Sequence, residues 1–352
     1  MENNNFTYKI FTVLELSDWL LHNYRNDMLD YMISRARAWA LINNPSAKDD
    51  DLALVAVFDG DKSIGYTALF PDKLQRPLLE GIYYWGTTQW IEPEYRGKGI
   101  SAKMMLLMKE AINHRYLGLD SSIASCKLDQ KQGYQISYYP RYFYIWNKNN
   151  IGVVGRLKRI YVQCTNKKAI KRLRNYSYTN RFVNYIDDTM YDFIKSHSQS
   201  NLFLRSKEML NWQLQYPFVQ VVIEDNHLET ENCEFGAYVR SHKNDVVQVY
   251  CNSTLCGVYV LNIIDGICSV QYLYFDENYK SNVFASLAVN VLQSHLMKFR
   301  TFNKELYEFM KAHGIKNMNS NFNTEQISLT LPPDVEIDPS LSIQGGDGDM
   351  FC

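Results

Sequence analysis

The sequence lacks the features that mark disulfide-rich, membrane-spanning or nucleic-acid-binding proteins. Its seven cysteines are scattered along 352 residues without a histidine cluster, so we expect neither a disulfide framework nor a structural zinc site. No apolar run approaches the roughly 18 residues of a membrane span, and the start of the chain lacks a signal-peptide pattern. A net charge of −1 gives no general attraction to nucleic acid or acidic membranes. We therefore expect a cytoplasmic protein with no metal, nucleic-acid or membrane partner.

The composition predicts a globular chain long enough for two domains. Hydrophobic residues make up 46% and charged residues 21% of the sequence, which is typical of folded proteins. Strand and helix patterns across residues 1–150 predict a mixed α/β sheet. A second run of strands and helices across 181–335 predicts a related domain. We expect a basic connector at 151–180 and an acidic, glycine-rich tail at 336–352.

Local patterns give element bounds that a structure can test. Helices are predicted at 16–43, 281–299 and 303–313, and a weaker strand at 118–127. A strand at 82–91 and the helix that follows it should form a right-handed crossover unit with the next strand.

Acidic residues are missing from one long segment. Between Gln130 and Ile186 there is no Asp or Glu, while 12 Lys and Arg residues occur. Two interpretations stay open here, an anion-facing surface and a solvated connector between domains. Aromatic residues at the regular spacing of a single-stranded nucleic-acid site are not found, so we do not predict such a partner.

The sequence Pro-Glu-Tyr-Arg-Gly-Lys-Gly-Ile-Ser at 93–101 stands between a predicted strand and a predicted amphipathic helix. Its two glycines allow left-handed dihedrals and let an anion approach the backbone without meeting a Cβ. The start of a helix offers unpaired N–H groups and a partial positive charge. Arg96 and Lys98 add two cations, so the segment predicts a binding site for a pyrophosphate; a flexible turn with incidental charges is the other interpretation of these residues alone.

A second segment repeats this arrangement. Residues 277–285 align with 93–101 without a gap, so that Tyr279 matches Tyr95 and Val283 matches Gly99. This segment also lies between a predicted strand and an apolar helix. The pattern predicts a duplication whose second copy has lost its glycines.

The run Arg96-Gly97-Lys98-Gly99-Ile100-Ser101 resembles the acetyl-CoA-binding motif, R/Q-x-x-G-x-G/A, of the GCN5-related N-acetyltransferase (GNAT) superfamily. The preceding Pro-Glu-Tyr and the element order of residues 6–150 fit the same family. Ser101 departs from the motif, although Ser is small and can cap a helix. The resemblance implies two tandem GNAT-like acyl-CoA N-acyltransferase domains, the second degenerate.

The same resemblance implies where acetyl-CoA, the co-substrate, binds. The amides of 97–101 would hold its pyrophosphate, and the strand edge at Gln89, Trp90 and Ile91 would pair with the pantetheine arm. A neutral amine would then attack the thioester directly, without a covalent enzyme intermediate.

The reaction needs an acid for the departing thiolate and a base for the ammonium proton. The family's acid is usually a tyrosine after the next strand, and Tyr139 or Tyr138 occupies that place here, although the glycine of the usual pattern is missing. Glu80 is the candidate base, with water as the alternative.

The resemblance implies transfer of an acetyl group to a primary amine, which could be a small amine, an amino sugar, an aminoglycoside or a peptide amine. Two alternatives are a non-catalytic CoA-binding or scaffold protein and an enzyme that transfers an aminoacyl or longer acyl group. The second domain would close or shape the acceptor site. The tail could be flexible or could fold back toward a cleft.

Overall fold

The structure, a computed structural model, describes residues 6–23, 33–76, 79–147, 152–222, 237–294, 296–318, 324–335, 338 and 340–348. The strands are β1 (Thr7–Thr12), β2 (Leu52–Asp59), β3 (Lys62–Arg76), β4 (Leu79–Ile91), β5 (Tyr116–Leu119), β6 (Gln135–Ile145), β7 (Thr179–Val183), β8 (Val219–Val221), β9 (Ala237–Val239), β10 (His242–Cys251), β11 (Thr254–Ile264), β12 (Ile267–Phe275), β13 (Lys298–Thr301) and β14 (Thr324–Leu331). The α-helices are α1 (Val13–Asn23), α2 (Arg35–Ile42), α3 (Ile100–Ala111), α4 (Ile123–Lys131), α5 (Val153–Leu173), α6 (Asp188–Ser196), α7 (Lys207–Gln215), α8 (Lys280–Gln293) and α9 (Lys304–Ala312).

One mixed sheet runs through the described chain. Twelve strands form it in the order β1-β2-β3-β4-β5-β14-β6-β13-β12-β11-β10-β7, while β8 and β9 pair separately. The strand β14 lies between β5 and β6, and β6 pairs in turn with β13. The mixed α/β class is confirmed. The sequence predicted one sheet for each half, whereas the halves exchange strands within a single sheet.

Several predicted bounds were wrong for local reasons. The helix expected at 16–43 is α1 and α2, separated by residues that include 24–32, which lie outside the described chain. The strand expected at 118–127 ends at Leu119, because the Ser122 side chain accepts a hydrogen bond from the Ser125 N–H and caps α4. The helix expected at 281–299 ends earlier, and β13 follows it. The strand β14 was not predicted from the sequence.

Helices cover both faces of the sheet. The helices α1, α2 and α7 pack on one face in a core that includes Leu16, Trp85 and Trp212, and we call this the Trp85 face. The helix α3 packs on the opposite face through Met104 and Met108. Along β6, Tyr139 contacts the Trp85 core, while Tyr142 and Tyr144 belong to the core of α5, α8 and α9 on the other face.

The two halves repeat one order of elements. In each, three antiparallel strands lead to a short 3-10 turn, a helix, a parallel strand and a second helix. The turns are Pro93–Tyr95 and Glu277–Tyr279, and the parallel pairs are β4 with β5 and β12 with β13. The halves differ at the helix start, because α8 begins directly after its turn whereas four residues separate the first turn from α3.

The basic segment and the tail are both built into the fold. The segment predicted as a connector contains α5, whose Val162, Ala169 and Leu173 are buried. The described tail residues 340–348 lie folded against the body, where Ser342 donates its N–H to the Ser200 carbonyl oxygen (2.8 Å). Of the two alternatives for the tail, these residues take the folded-back one. Within the described ranges, no helix combines the length and apolarity needed to cross a membrane.

Candidate active site

The glycine-rich turn has the backbone that its sequence predicts. Gly97 and Gly99 have φ angles of +80° and +78°, in the left-handed region that L-residues with a side chain rarely adopt. Gly99 is the N-cap residue of α3 and supplies no side-chain hydrogen bond to the helix. The first N–H groups of α3 have no acceptor within the helix. The turn therefore directs unpaired donors and the positive end of a helix toward its exposed side.

Space and charge at this turn both suit an anion. A Cβ built on Gly97 or Gly99 would meet no described heavy atom within 4 Å, so the strand–helix junction is open on this side. The Lys98 ammonium lies 4.8 Å from the centre of the Tyr95 ring. Arg96 donates from Nε to the Ile91 carbonyl oxygen (2.9 Å), which fixes the start of the turn to the end of β4.

The strand β4 leaves its parallel neighbour just before this turn. Its register with β5 covers Tyr84 to Gly86 and no further. On the other side, Gly86 pairs with Leu69 and Thr88 with Ala68, so Thr87 is an extra residue that bulges from β4. Past the bulge, residues 87–91 have no partner strand on the β5 side within the described chain. A splayed edge with free backbone groups therefore leads to the glycine turn.

The predicted cofactor-contacting residues lie along this edge and turn. Gln89 donates from Nε2 to Ser101 Oγ (2.8 Å), which ties the edge to the first turn of α3. Ile91 and Ile100 are buried and anchor the two ends of the turn. The Trp90 Nε1 is shielded from solvent and has no hydrogen-bond partner among the described residues. The structure thus brings the predicted set together along the end of β4 and the start of α3, with the Ile91 and Ile100 side chains in the core.

The two candidate acids point to opposite faces of β6. Tyr138 is 60% exposed, whereas Tyr139 is partly buried against the core that contains Trp85. Burial, and to a lesser extent the negative charge of Asp347, raises the pKa of Tyr139 above its ordinary value. Tyr139 would therefore be protonated at neutral pH, as a proton donor must be.

The candidate base, Glu80, lies at the wrong end of its strand. It is exposed and pairs with Gln75 near the start of β4. Thr87 lies seven positions further along β4, which is about 23 Å in an extended strand. The structure therefore does not bring Glu80 to the splay. Sequence position could not reveal this, because β4 is longer than the predicted strand.

Sequence reasoning missed a buried ion network next to this site. Arg205, which precedes α7, lies with its Nε 2.8 Å from Asp72 Oδ2, and its guanidinium also pairs with Asp347 of the tail. Asp72 Oδ2 accepts a hydrogen bond from Trp85 Nε1 (2.9 Å) as well. Complete burial would lower the pKa of Arg205, but the charges of Asp72, Tyr272 and Asp347 together hold it above its ordinary value. The network fixes the tail to β3 and to the Trp85 face.

The splay of the second half contains the tail. The register of β12 with β13 ends at Ser269, and Gln271 bulges from β12 as Thr87 does from β4. Gly346 donates its N–H to the Gln271 carbonyl oxygen (2.8 Å), and the Leu273 N–H donates to Gln344 Oε1 (2.7 Å). A cavity of about 580 Å³ remains beside this segment.

The turn of the second half differs chemically from the first. Lys280, which aligns with Arg96, is the first residue of α8 and has ordinary helical dihedrals. Its ammonium lies 2.7 Å from Glu277 Oε2 and 3.1 Å from Glu305 Oε1. A helix therefore replaces the open glycine turn, and two carboxylates neutralise its cation. In neither half do the described residues include three or more His, Cys, Asp or Glu side chains grouped as metal ligands.

Comparison with known proteins gives a family match in the first half of the chain, which contains the glycine-rich turn. Residues 13–142 match the family described as the acetyltransferase (GNAT) family. No curated protein matches the chain. A GCN5-related N-acetyltransferase from Kribbella flavida is 12% identical, with a TM-score of 0.52 over 94% of this chain and 72% of its own. A putative acetyltransferase from Pyrococcus horikoshii is also 12% identical, with a TM-score of 0.51 over 98% and 95%. These structures share the fold of nearly the whole chain, and the match to the acetyltransferase (GNAT) family is confined to residues 13–142.

Proposed function

We propose that the protein is an acetyl-CoA-dependent N-acetyltransferase that acts on a primary amine. The observation that carries this proposal is the junction of the bulged edge of β4 with the positive-φ glycine turn before α3. A free strand edge suits the amides of a pantetheine arm. A helix N-terminus preceded by glycines suits a pyrophosphate.

The chain's residues divide the work of binding. The amides of residues 97–101 would hold the pyrophosphate, with Arg96 and Lys98 adding positive charge. The backbone of Gln89, Trp90 and Ile91 would hold the pantetheine arm, and the bulge at Thr87 would leave the acyl group between β4 and β5. An open surface at both glycines is what this assignment requires.

The co-substrate supplies an acetyl group activated as a thioester. The amine nitrogen forms a bond to the carbonyl carbon, the carbon–sulfur bond breaks, and the amide product and the CoA thiol result. A backbone N–H at the splay would stabilise charge on the carbonyl oxygen. Tyr139 would donate its proton to the departing sulfur and recover one from solvent. Water would accept the proton of the amine, because Glu80 is too distant.

We further propose that the second half is a copy of the first that no longer binds CoA. Three features support this: α8 runs through the position of the glycine turn, Lys280 is neutralised by Glu277 and Glu305, and the tail occupies the splay. The second half would then shape the acceptor site.

Titration calorimetry with acetyl-CoA, with CoA and NADH as comparisons, tests binding. We expect one acetyl-CoA per chain, competition by CoA and no binding of NADH. Two molecules per chain would show that the second half still binds CoA, and no binding would refute the proposed pyrophosphate site at residues 97–101. Release of the CoA thiol in the presence of panels of amines then tests transfer. Binding without thiol release for every amine class would favour the non-catalytic CoA-binding alternative.

A further inference from the structure

A cluster of cations surrounds a cavity at the centre of the Trp85 face. Arg141 lies on β6, and Lys298 and Arg300 lie on β13, which pairs with β6. Phe299 belongs to the core on the opposite face, so strand alternation places Lys298 and Arg300 on the Trp85 face. The cavity has a volume of about 150 Å³ and is lined by residues that include Asp120, Arg141, Arg300, Thr301 and Gly345.

Two carboxylates interact mainly with one of the cations. Glu325 on β14 accepts a hydrogen bond from Arg141 Nε (2.7 Å), and Asp120 Oδ2 lies 3.6 Å from Arg141 Nη2. Burial alone would raise the pKa of Glu325, but the hydrogen bond from Arg141 and the charges around it hold the pKa below its ordinary value. Glu325 is therefore an ionised partner of Arg141.

Arg300 is partly buried, and Glu325 and Asp120 act on it through their charges alone, without a hydrogen bond. Its Nε is shielded from solvent and has no hydrogen-bond acceptor in the described ranges. Burial and then the positive charge of Arg141 lower the pKa of Arg300, and the charges of Glu325 and Asp120 only partly oppose this. Burial and then the charge of Arg300 lower the pKa of Lys298, again against the charge of Glu325. A buried cationic donor is costly unless an anion or acceptor meets it. The cavity in front of Arg300 is polar and could hold such an acceptor.

The cavity lies beside the candidate acid. Tyr139 and Arg141 are two residues apart on β6, so they share a face and lie about 7 Å apart. Asp120, at the rim of the cavity, directly follows the last residue of β5, which flanks the proposed acyl position. If the amine nitrogen reaches an acyl group near Tyr139, a substituent a few bonds from that nitrogen would lie at Arg300.

We propose that Arg300 binds an anionic group of the acceptor, with Arg141 lining the same cavity, so that the substrate is an amine that also carries a carboxylate or a phosphate. This inference rests on the proposed acyl transfer, because the bound amine is an acceptor only if the protein is an acyltransferase. The anion site itself rests only on the cavity and its cations. Because Arg presents a planar set of donors, it suits both anions.

Two pairs of small amines test the proposal, and each pair differs in its anion. The pairs are O-phosphoethanolamine with ethanolamine, and β-alanine with β-alaninamide. Calorimetry at fixed ionic strength should show that at least one anionic member binds about tenfold more tightly than its neutral partner, the order expected for a charged hydrogen bond. The comparison between pairs identifies the anion. Equal affinities within both pairs would overturn the proposal.

Variants assign the preference to the cavity. Arg300→Gln should remove the difference in affinity between the anionic amine and its neutral partner. Arg156 is an exposed cation on α5, and Arg156→Gln should preserve the difference. A preference that survives Arg300→Gln would also overturn the proposal. If Arg300→Gln does not fold, the wild-type comparison still decides. Acetyl-CoA binding to the wild-type protein is titrated separately. If the protein prefers the anionic amines but does not bind acetyl-CoA, the proposed acyltransferase is refuted. If it binds acetyl-CoA but shows no preference for the anionic amines, only this inference is refuted.

Discussion

The N–H of Gly346 lies 2.8 Å from the carbonyl oxygen of Gln271, the residue at which β12 bulges. The equivalent bulge of the first half is Thr87, where β4 leaves β5. In the first half, the strand edge at this bulge would be open to a pantetheine arm. In the second half, the equivalent edge is hydrogen-bonded to the backbone of the tail. The tail is therefore part of the fold that shapes the centre of the molecule.

Gly346→Ala should loosen the tail and destabilise the protein. A Cβ at Gly346 would overlap the ring of Tyr272, which is buried and whose hydroxyl lies within hydrogen-bond distance (2.9 Å) of the Gly346 carbonyl oxygen. Overpacking of this kind costs about 1–3 kcal/mol. Chemical unfolding should report the loss, and limited proteolysis should cut the tail sooner.

Gly152→Ala is the matched control for this change. Gly152 has an ordinary φ of −65°, and a Cβ there would meet no described atom within 4 Å. The control should unfold like the wild type. If Gly346→Ala also unfolds like the wild type and keeps its protease resistance, the tail is not held as the structure describes.

Gly99→Val should abolish acetyl-CoA binding. The side chain would extend into the open space where the pyrophosphate is expected, and Gly99 has a φ of +78°. Gly133→Val is a close control, because Gly133 has a φ of +87° and equally open surroundings at the end of α4. Both variants should lose about 1–2 kcal/mol of stability from backbone strain, but only Gly99→Val should lose binding in calorimetry. Equal affinities in the two variants would show that the turn does not hold the ligand.

These features differ in how far the sequence reveals them. The left-handed turn at Gly97 and Gly99 was predictable, since the requirement for glycine is local and the helix pattern follows at once. The pairing of β14 with β5 and β6 was not, because strands far apart in the chain meet only in the folded sheet. The ion pair of Arg205 with Asp347 was hidden for the same reason: 142 residues separate its partners.

Tyr139→Phe should slow acetyl transfer while leaving acetyl-CoA affinity unchanged. The variant keeps the ring that packs against the Trp85 core and removes only the hydroxyl that would protonate sulfur. General acid catalysis typically contributes about 100-fold or more to the rate. Tyr138→Phe removes the same group on the exposed, opposite face and should keep full activity. Steady-state rates of thiol release compare the two, and an equally active Tyr139→Phe would remove Tyr139 from the reaction.

Lys109 and Asp129 should behave as one unit in a double-mutant cycle. Both side chains are 1% exposed and lie 2.5 Å apart, joining α3 to α4. Asp129 also accepts a hydrogen bond from Thr330 Oγ1 (3.1 Å), so the pair supports β14 between β5 and β6. Burial lowers the pKa of Lys109, and the charge and hydrogen bond of Asp129 oppose this lowering.

Removing either partner alone leaves the other charge buried, so Lys109→Met and Asp129→Leu should each cost about 3–5 kcal/mol. The double variant should cost much less than the sum of the two, because no unpaired charge remains. Urea unfolding of the four proteins measures the coupling. Additive losses would mean that the two groups do not compensate each other, and that β14 is held in place by its strand pairing and apolar contacts alone.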